Sequence, residues 1–478
     1  MITTICGGRL ARARVVRAGS LALILGIGCL FLSSCSRVQE RILFQKGNAS
    51  STSGHNDDAI DDFTQIIEAN PEDGKAYNNR GVAYYHKREY DLAIGDFNEA
   101  IRINPEDEKA CFDRGFVYEV KGDYDKAIAD YSRTIQLAPK YAEAYTCRGS
   151  CYYYNKADYD RALADFNEVV QINPNSALAY YNRGTAYEAK GDDDKALADY
   201  NQAIQIEPKH AAAYNARGGV YGHKHDDDHA LADFNHAIEF NPQATEAYGN
   251  RADLYSNQGE YDLAIADYNR LIALNPSIEK AYTQRAFAYF KKNDYDHAIA
   301  DFSQALQLNP TDEEVLGDRG LVFAVKGDRV KAIADFNQAI QLNPRDAKIY
   351  VNRGNAFHDE GDDVRALADE SQVILLDPNN EEACNNLAWD LATSPQAGLR
   401  NGKKAVEYAT KACELSEWKN AAAIDTLAAA CAESGDFDSA VKWENKYLEA
   451  PDQTASDVAD AKKRLALYQA HKPYHADK

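Results

Sequence analysis

GKAYNNRGVAYYHKREYDLAIGDFNEAIRINPED, from Gly74 to Asp107, decides how this chain is read. Apolar residues recur three and four apart from Ala76 to Lys87 and again from Tyr90 to Ile103, the spacing of two amphipathic helices joined by a tight turn. The stretch closes on Asn104-Pro105, and proline ends a helix because it lacks an N–H and restricts the residue before it. The same proline returns at Pro71, Pro105, Pro139, Pro174, Pro208, Pro242, Pro276, Pro310, Pro344 and Pro378, spaced by 34 residues with a single 35. A length of 478 residues would otherwise suggest about three globular domains, but repetition overrides that expectation.

With each proline set at position 32, the units begin at Glu40, Gly74, Glu108, Ala142, Ala177, Ala211, Thr245, Glu279, Glu313 and Ala347. Position 4 is most often Tyr (Tyr77, Tyr145, Tyr180), position 8 Gly or Ala (Gly81, Gly184, Ala252), and position 20 is Ala in every unit from Ala93 to Ala366. Small residues at 8 and 20 let the two helices approach closely, while aromatics at 4, 11 and 24 fill the space between adjacent units. No unit can stand alone. Ordering 34 residues costs about 50 kcal/mol at roughly 1.5 per residue, which requires about 2,000 Å² of apolar burial at 25 cal/mol/Å². Stacking on neighbours supplies that area.

These positions resemble the tetratricopeptide repeat (TPR) over about residues 40 to 450. The resemblance implies an all-α, right-handed superhelical solenoid of about 12 helix-turn-helix units with a C-terminal capping helix. It also implies a concave groove lined by the first helix of each unit, and binding of other proteins. One departure is systematic. Position 7, usually Leu in the family, is Arg from Arg80 to Arg353, and position 23 is Asp from Asp96 to Asp369. Arg-to-Asp pairs between the helices are expected, since an unpaired half-buried guanidinium is costly. A ligand-binding row of arginines is the competing reading.

The ends differ from the middle. Arg9, Arg12, Arg14 and Arg17 precede the apolar run Ala18 to Leu32, and Leu32-Ser33-Ser34-Cys35 follows. That is an export signal, too short for a spanning helix of about 20 residues. The segment resembles a bacterial lipoprotein signal, which implies cleavage after residue 34 and lipidation of Cys35, with two or more acyl chains as the anchor. Ordinary signal cleavage and an uncleaved anchor are the alternatives. Residues 35–73 read as a tether and a degraded first unit, because Gly47 to Asp58 is too rich in Ser and Gly to finish a good helix. Residues 74–380 read as nine regular units and 381–451 as two divergent ones, holding all three tryptophans, Trp389, Trp418 and Trp443. Residues 452–478 read as a capping helix and tail, with Lys462, Lys463 and Arg464 exposed. Glu370 replaces the aromatic at position 24 and is expected to weaken the core of the tenth unit.

The accounting leaves no room for an appended catalytic domain, and GxSxG, HExxH, Walker, CxxC and dinucleotide motifs are absent from the sequence. No cofactor, metal or small-molecule substrate is expected. A net charge of -22 repels phosphate backbones, so no nucleic-acid partner is expected either. A metal-binding or hydrolytic enzyme would have to use His223, His225, His229 and His236 of the sixth unit, beside Asp226, Asp227 and Asp228. A solvated turn is the plainer reading of that run, and Cys147 with Cys151 makes a weaker metal candidate. Cys111, Cys147, Cys151, Cys384, Cys413 and Cys431 read as small buried hydrophobes, with disulfides possible in an exported protein. By resemblance, positions 9, 12 and 13 face the groove. They give one apolar patch of Val82, Tyr85, His86, Phe116, Val120, Tyr153 and Tyr154, and a second of Phe287, Phe290, Leu321 and Val325. Packing against the next unit is the alternative role for each. The patches suit a peptide or helix segment with apolar contacts and basic flanks. The resulting expectation is a protein-binding scaffold tethered at a bacterial envelope, facing the periplasm or exterior, with self-association as a structural component the other alternative.

Overall fold

The computed structural model describes residues 43–50, 54–451 and 453–476, and all regular structure among them is α-helical. The export segment and Cys35 lie outside the described residues. The chain forms two compact bodies, one up to Pro242 and one from Gln243.

In the first body, unit 1 pairs the helical stretch 43–50 with Asn56–Ala69. Units 2 to 6 pair Gly74–His86 with Tyr90–Ile103, Glu108–Val120 with Tyr124–Leu137, Ala142–Lys156 with Tyr159–Ile172, Ala177–Ala189 with Asp193–Ile206, and Ala211–His223 with Asp227–Phe240. In the second, units 7 to 10 pair Thr245–Asn257 with Tyr261–Leu274, Glu279–Lys291 with Tyr295–Leu308, Glu313–Lys326 with Arg329–Leu342, and Ala347–Glu360 with Asp363–Leu376. Glu381–Thr393 with Gly402–Leu415 and Ala421–Ser434 with Phe437–Leu448 follow, then the single helix Ala455–Gln469. Each body is thus a run of tandem helix pairs, an all-α solenoid.

Local chemistry explains each pair. The turn needs a left-handed residue, supplied by Gly191 at φ 77° in unit 5 and, at more strain, by His225 at φ 58° in unit 6. The next residue is an Asp that caps the second helix: Asp192 accepts from the Lys195 N–H and pairs with Lys195 Nζ at 2.5 Å. The aromatic at position 24 fills the core between helices, with Phe97, Tyr131, Tyr200, Phe302 and Phe336 almost wholly buried. Glycine at position 8 is what admits the ring, since a Cβ on Gly184 would lie 2.7 Å from Tyr200. Where the ring is Tyr, its hydroxyl donates to a carboxylate of the first helix, Tyr131 to Glu119 and Tyr200 to Glu188, both at 2.5 Å.

The Arg-to-Asp pairs form in every unit from 2 to 10. In unit 5, Arg183 Nε donates to Asp199 Oδ2 at 2.8 Å and Nη2 to Oδ1 at 2.7 Å. The remaining nitrogen, Nη1, donates to Asn167 Oδ1 of the preceding unit at 2.9 Å. The same three-way tie recurs at Arg80, Arg114, Arg148 and Arg217 in the first body and at Arg285, Arg319 and Arg353 in the second. A second inter-unit set joins a lysine at the end of one first helix to an Asp opening the previous second helix, as in Lys87–Asp57, Lys156–Asp125, Lys190–Asp160 and Lys292–Asp262.

Unit 1 has a core of its own, in which Phe44 meets Phe63 edge-on at 5.7 Å and Phe63 and Ile66 are buried. One expectation needs correction. Lys462 and Lys463 are exposed, but Arg464 is buried: it faces inward, donating to Glu444 at 3.2 Å and Asp425 at 2.7 Å, and so pins the last helix by charge. In unit 10 Glu370 stands in the ring's place, buried against His358 with its Oε2 unpartnered.

Candidate functional site

The first patch sits on the first helices of units 2 to 4. Tyr85 and Phe116, from consecutive units, meet edge-on with centroids 5.5 Å apart. Tyr85 also lies against Tyr90, and with Val82 it packs on the core formed by Ala93, Phe97 and Val117. Both roles weighed for these residues therefore coexist. Val82, Tyr85 and Phe116 are half-buried, whereas His86 is exposed and Val120 is 44% exposed. In unit 4 Tyr153 meets Tyr154 nearly perpendicular at 4.6 Å, and Tyr154 keeps 39% of its surface. Burial raises the Tyr153 phenol to about 12, so it stays a neutral donor at any physiological pH.

The second patch, described within its own body, is more inward-facing. Phe287 packs perpendicular on Phe302 at 5.3 Å and Phe290 on Tyr295 at 5.9 Å, all within one core cluster. Leu321 is half-buried, and Val325, 50% exposed, is the most open member.

The row of arginines is already neutralised within the stack. The hydrogen bond to Asp199 holds the Arg183 guanidinium above its ordinary pKa, and Arg183 lies over the Tyr180 ring at 5.4 Å. Two of the four sixth-unit histidines, His229 and His236, are engaged separately. His229 Nδ1 pairs with Asp226 at 2.8 Å, the position where other units use Lys or Arg, and the Asp raises its pKa. His236 bonds the Ala232 carbonyl and stacks on Tyr214. Among the described residues, the one group of three imidazole and carboxylate ligands that converge is His358, Glu370 and Asp390, which sequence reading did not bring together. The signal that pointed there was the acid at position 24; that Asp390 of the following helix comes within reach of it follows only from the packing of the units. All six described cysteines are free and buried. Among the described residues no helix is long and apolar enough to cross a membrane.

An array of tandem helix pairs, with its charges paired internally and apolar side chains left on the first helices, is a repeat solenoid of the class that offers surface to other proteins. The chain belongs to the tetratricopeptide repeat family. Models described as tetratricopeptide repeat match residues 44–108, 108–141, 177–210, 245–278 and 279–312, and one described as TPR repeat matches 152–191 and 320–361. Together they span more than half of the chain. Among solved structures the chain is similar to a tetratricopeptide repeat protein from Parabacteroides merdae, at 20% identity over 52% of this chain and 98% of that one, with a TM-score of 0.43. It is also similar to YrrB, described as a TPR protein with an unusual peptide-binding site, at 24% identity over 39% and 95% with a TM-score of 0.35. A third is the Cut9–Hcn1 hetero-tetramer of the APC/C, at 16% over 84% and 99% with a TM-score of 0.39. No curated protein matches the chain significantly. Proteins of this family are in general protein-interaction scaffolds without catalytic activity.

Proposed function

We propose that this protein is a non-enzymatic adaptor held at a bacterial cell envelope by lipid on Cys35, and that it captures segments of other proteins on the first helices of units 2 to 4. The observation that carries the binding reading is the Tyr85–Phe116 contact between consecutive units, continued by the exposed Val120 and Tyr154. Large aromatic surface that is rigidly held yet open costs little further ordering when a partner docks, which is what makes such residues binding anchors. The net charge of -22 favours partner segments with basic flanks through attraction during encounter. Phe287, Phe290, Leu321 and Val325 serve as a secondary patch centred on Val325.

The test is a pulldown from crosslinked intact cells, comparing the wild type with Tyr85→Ala/Phe116→Ala and Phe287→Ala/Phe290→Ala. Loss of a shared set of partners in the first variant, with helical content unchanged, supports the reading. Equal recovery of every partner by the first variant rejects it. The tether is tested separately by mass spectrometry of the mature N-terminus and by fractionation of Cys35→Ala. An unlipidated mature terminus, or full membrane retention of that variant, rejects the lipid anchor.

A further inference from the structure

Units 2 to 9 close their cores with a ring at position 24, and unit 1 does so with Phe63. Unit 10 alone among them places a carboxylate there. Glu370 is 8% exposed, one of its oxygens accepts from His358 Nε2 at 3.2 Å, and its other oxygen, Oε2, is buried without a partner. The following helix, Glu381–Thr393, brings a second carboxylate to the same nitrogen: Asp390 Oδ2 lies 2.8 Å from His358 Nε2. That oxygen is also buried, and its one close polar neighbour is the imidazole that Glu370 already engages. A single Nε2–H serves one acceptor, yet two carboxylates are drawn against it.

We propose that His358, Glu370 and Asp390 bind one divalent first-row metal ion of the Zn²⁺ type, through His358 Nε2 and one oxygen of each carboxylate. Imidazole and carboxylate are the donors such an ion takes, with bonds of about 2.0–2.2 Å. At a tetrahedral angle those bonds put ligand atoms about 3.3 Å apart. Here Nε2 stands 3.2 and 2.8 Å from its two partners, and all three ligand atoms lie within 4.8 Å of one another. A slight spreading admits the ion.

Charge balances as well. On binding, Nε2 releases its proton to solvent, and a neutral imidazole with two carboxylates offsets the 2+ charge in a site where net charge is costly. Space exists because the ring is missing: a Cβ on Gly354 would meet nothing nearer than 3.5 Å, against 2.7 Å where Gly184 abuts Tyr200. The site is reachable, since the His358 and Asp390 side chains are 30% and 19% exposed, which leaves a coordination position open to water. In units 3 and 5 the corresponding carboxylate is closed by one hydrogen bond from the ring, Tyr131 to Glu119 and Tyr200 to Glu188. The ion ties unit 10 to the first helix of the divergent closing block. This site is distinct from the sixth-unit histidines and independent of the protein-binding reading.

The test uses the full mature chain without a histidine tag, stripped of metal and dialysed against Zn²⁺, with bound metal counted by mass spectrometry. The wild type is expected to hold one equivalent. His358→Ala and Glu370→Phe are each expected to bind at least tenfold more weakly. Glu370→Phe restores the ring that every preceding unit carries, so it keeps the fold, which circular dichroism confirms. His229→Ala is expected to bind as the wild type does. The proposal is overturned if the wild type takes up no Zn²⁺, if Glu370→Phe binds it as tightly as the wild type, or if His229→Ala abolishes the binding.

Discussion

Replacing Asp199 by Ala tests whether the Arg-to-Asp pairs hold the stack. Asp199 is 5% exposed and accepts both Nε and Nη2 of Arg183, whose own side chain is 20% exposed. Removing it strands a guanidinium with only Asn167 and the Tyr180 ring for company. Breaking one half of a fully buried pair costs about 3–5 kcal/mol, and because Arg183 retains a path to water the expected loss falls below that range, at about 2–3 kcal/mol. A tandem array opens locally, so a single melting temperature is a poor readout. Hydrogen exchange of Ala177–Ala189 and Asp193–Ile206 is the suitable assay, and it should speed up by roughly 30- to 150-fold at 1.4 kcal/mol per decade. Arg183→Leu/Asp199→Leu, which removes both charges and leaves apolar bulk, should recover most of that protection. The reasoning is refuted if Asp199→Ala exchanges like the wild type, or if the double Leu variant is no better protected than the single one.

Glu444 is fully buried beside Asp425 with only Arg464 to share, and burial first, then the Asp425 charge, pushes its pKa up to about 9. A folded pKa above the unfolded value near 4.3 means the docking of Ala455–Gln469 is firmest at low pH and is lost as pH rises through 9. Protection factors in that helix, that is, exchange relative to the intrinsic rate at each pH, should therefore fall between pH 6 and 9, and Glu444→Gln should flatten that profile; wild-type protection factors independent of pH would contradict the assignment. The Cys413 and Cys431 thiols, raised by burial to about 11 and 12, should react with a thiol reagent only after unfolding, and rapid labelling of the native protein would count against their burial. Lys190→Gln removes an ion pair with an Asp160 side chain that is 81% exposed, so it should cost under about 0.5 kcal/mol in denaturant titrations, and a larger loss would show these outer pairs to be structural.

The repeat and its helix pairs were legible because proline spacing and apolar period are properties of the chain itself. The Arg-to-Asp pairing was legible for a related reason: two opposite charges recurring at fixed positions in a half-buried frame have few other places to go. What escaped the reading depends on geometry between units. The third bond of the arginine within a body, to Asn167 from Arg183 for example, joins residues 16 apart through the stacking angle. Asp390 belongs to a different unit from His358 and Glu370, so no local motif links them. Arg464 was taken as exposed because it neighbours Lys462 and Lys463, whereas a helical rotation of 100° per residue carries it to the inner face. The groove residues were harder still, because Tyr85 belongs to the core cluster and to the surface at once, and one residue type serves both.

The three-way arginine tie also bears on how such a chain can change in length. Within each body, units 2 to 6 and 8 to 10 carry an arginine that plugs into an Asn, Ser or Thr socket at position 25 of the unit before. A gene segment coding for 34 residues can therefore be copied or excised within the run and leave every buried guanidinium with its full set of partners. The run stops where Leu387 takes the arginine's place in the eleventh unit. Growth by duplication is open before that point; Ser371, at position 25 of the tenth unit, receives no arginine and bonds the Leu367 carbonyl instead, and the closing block begins there.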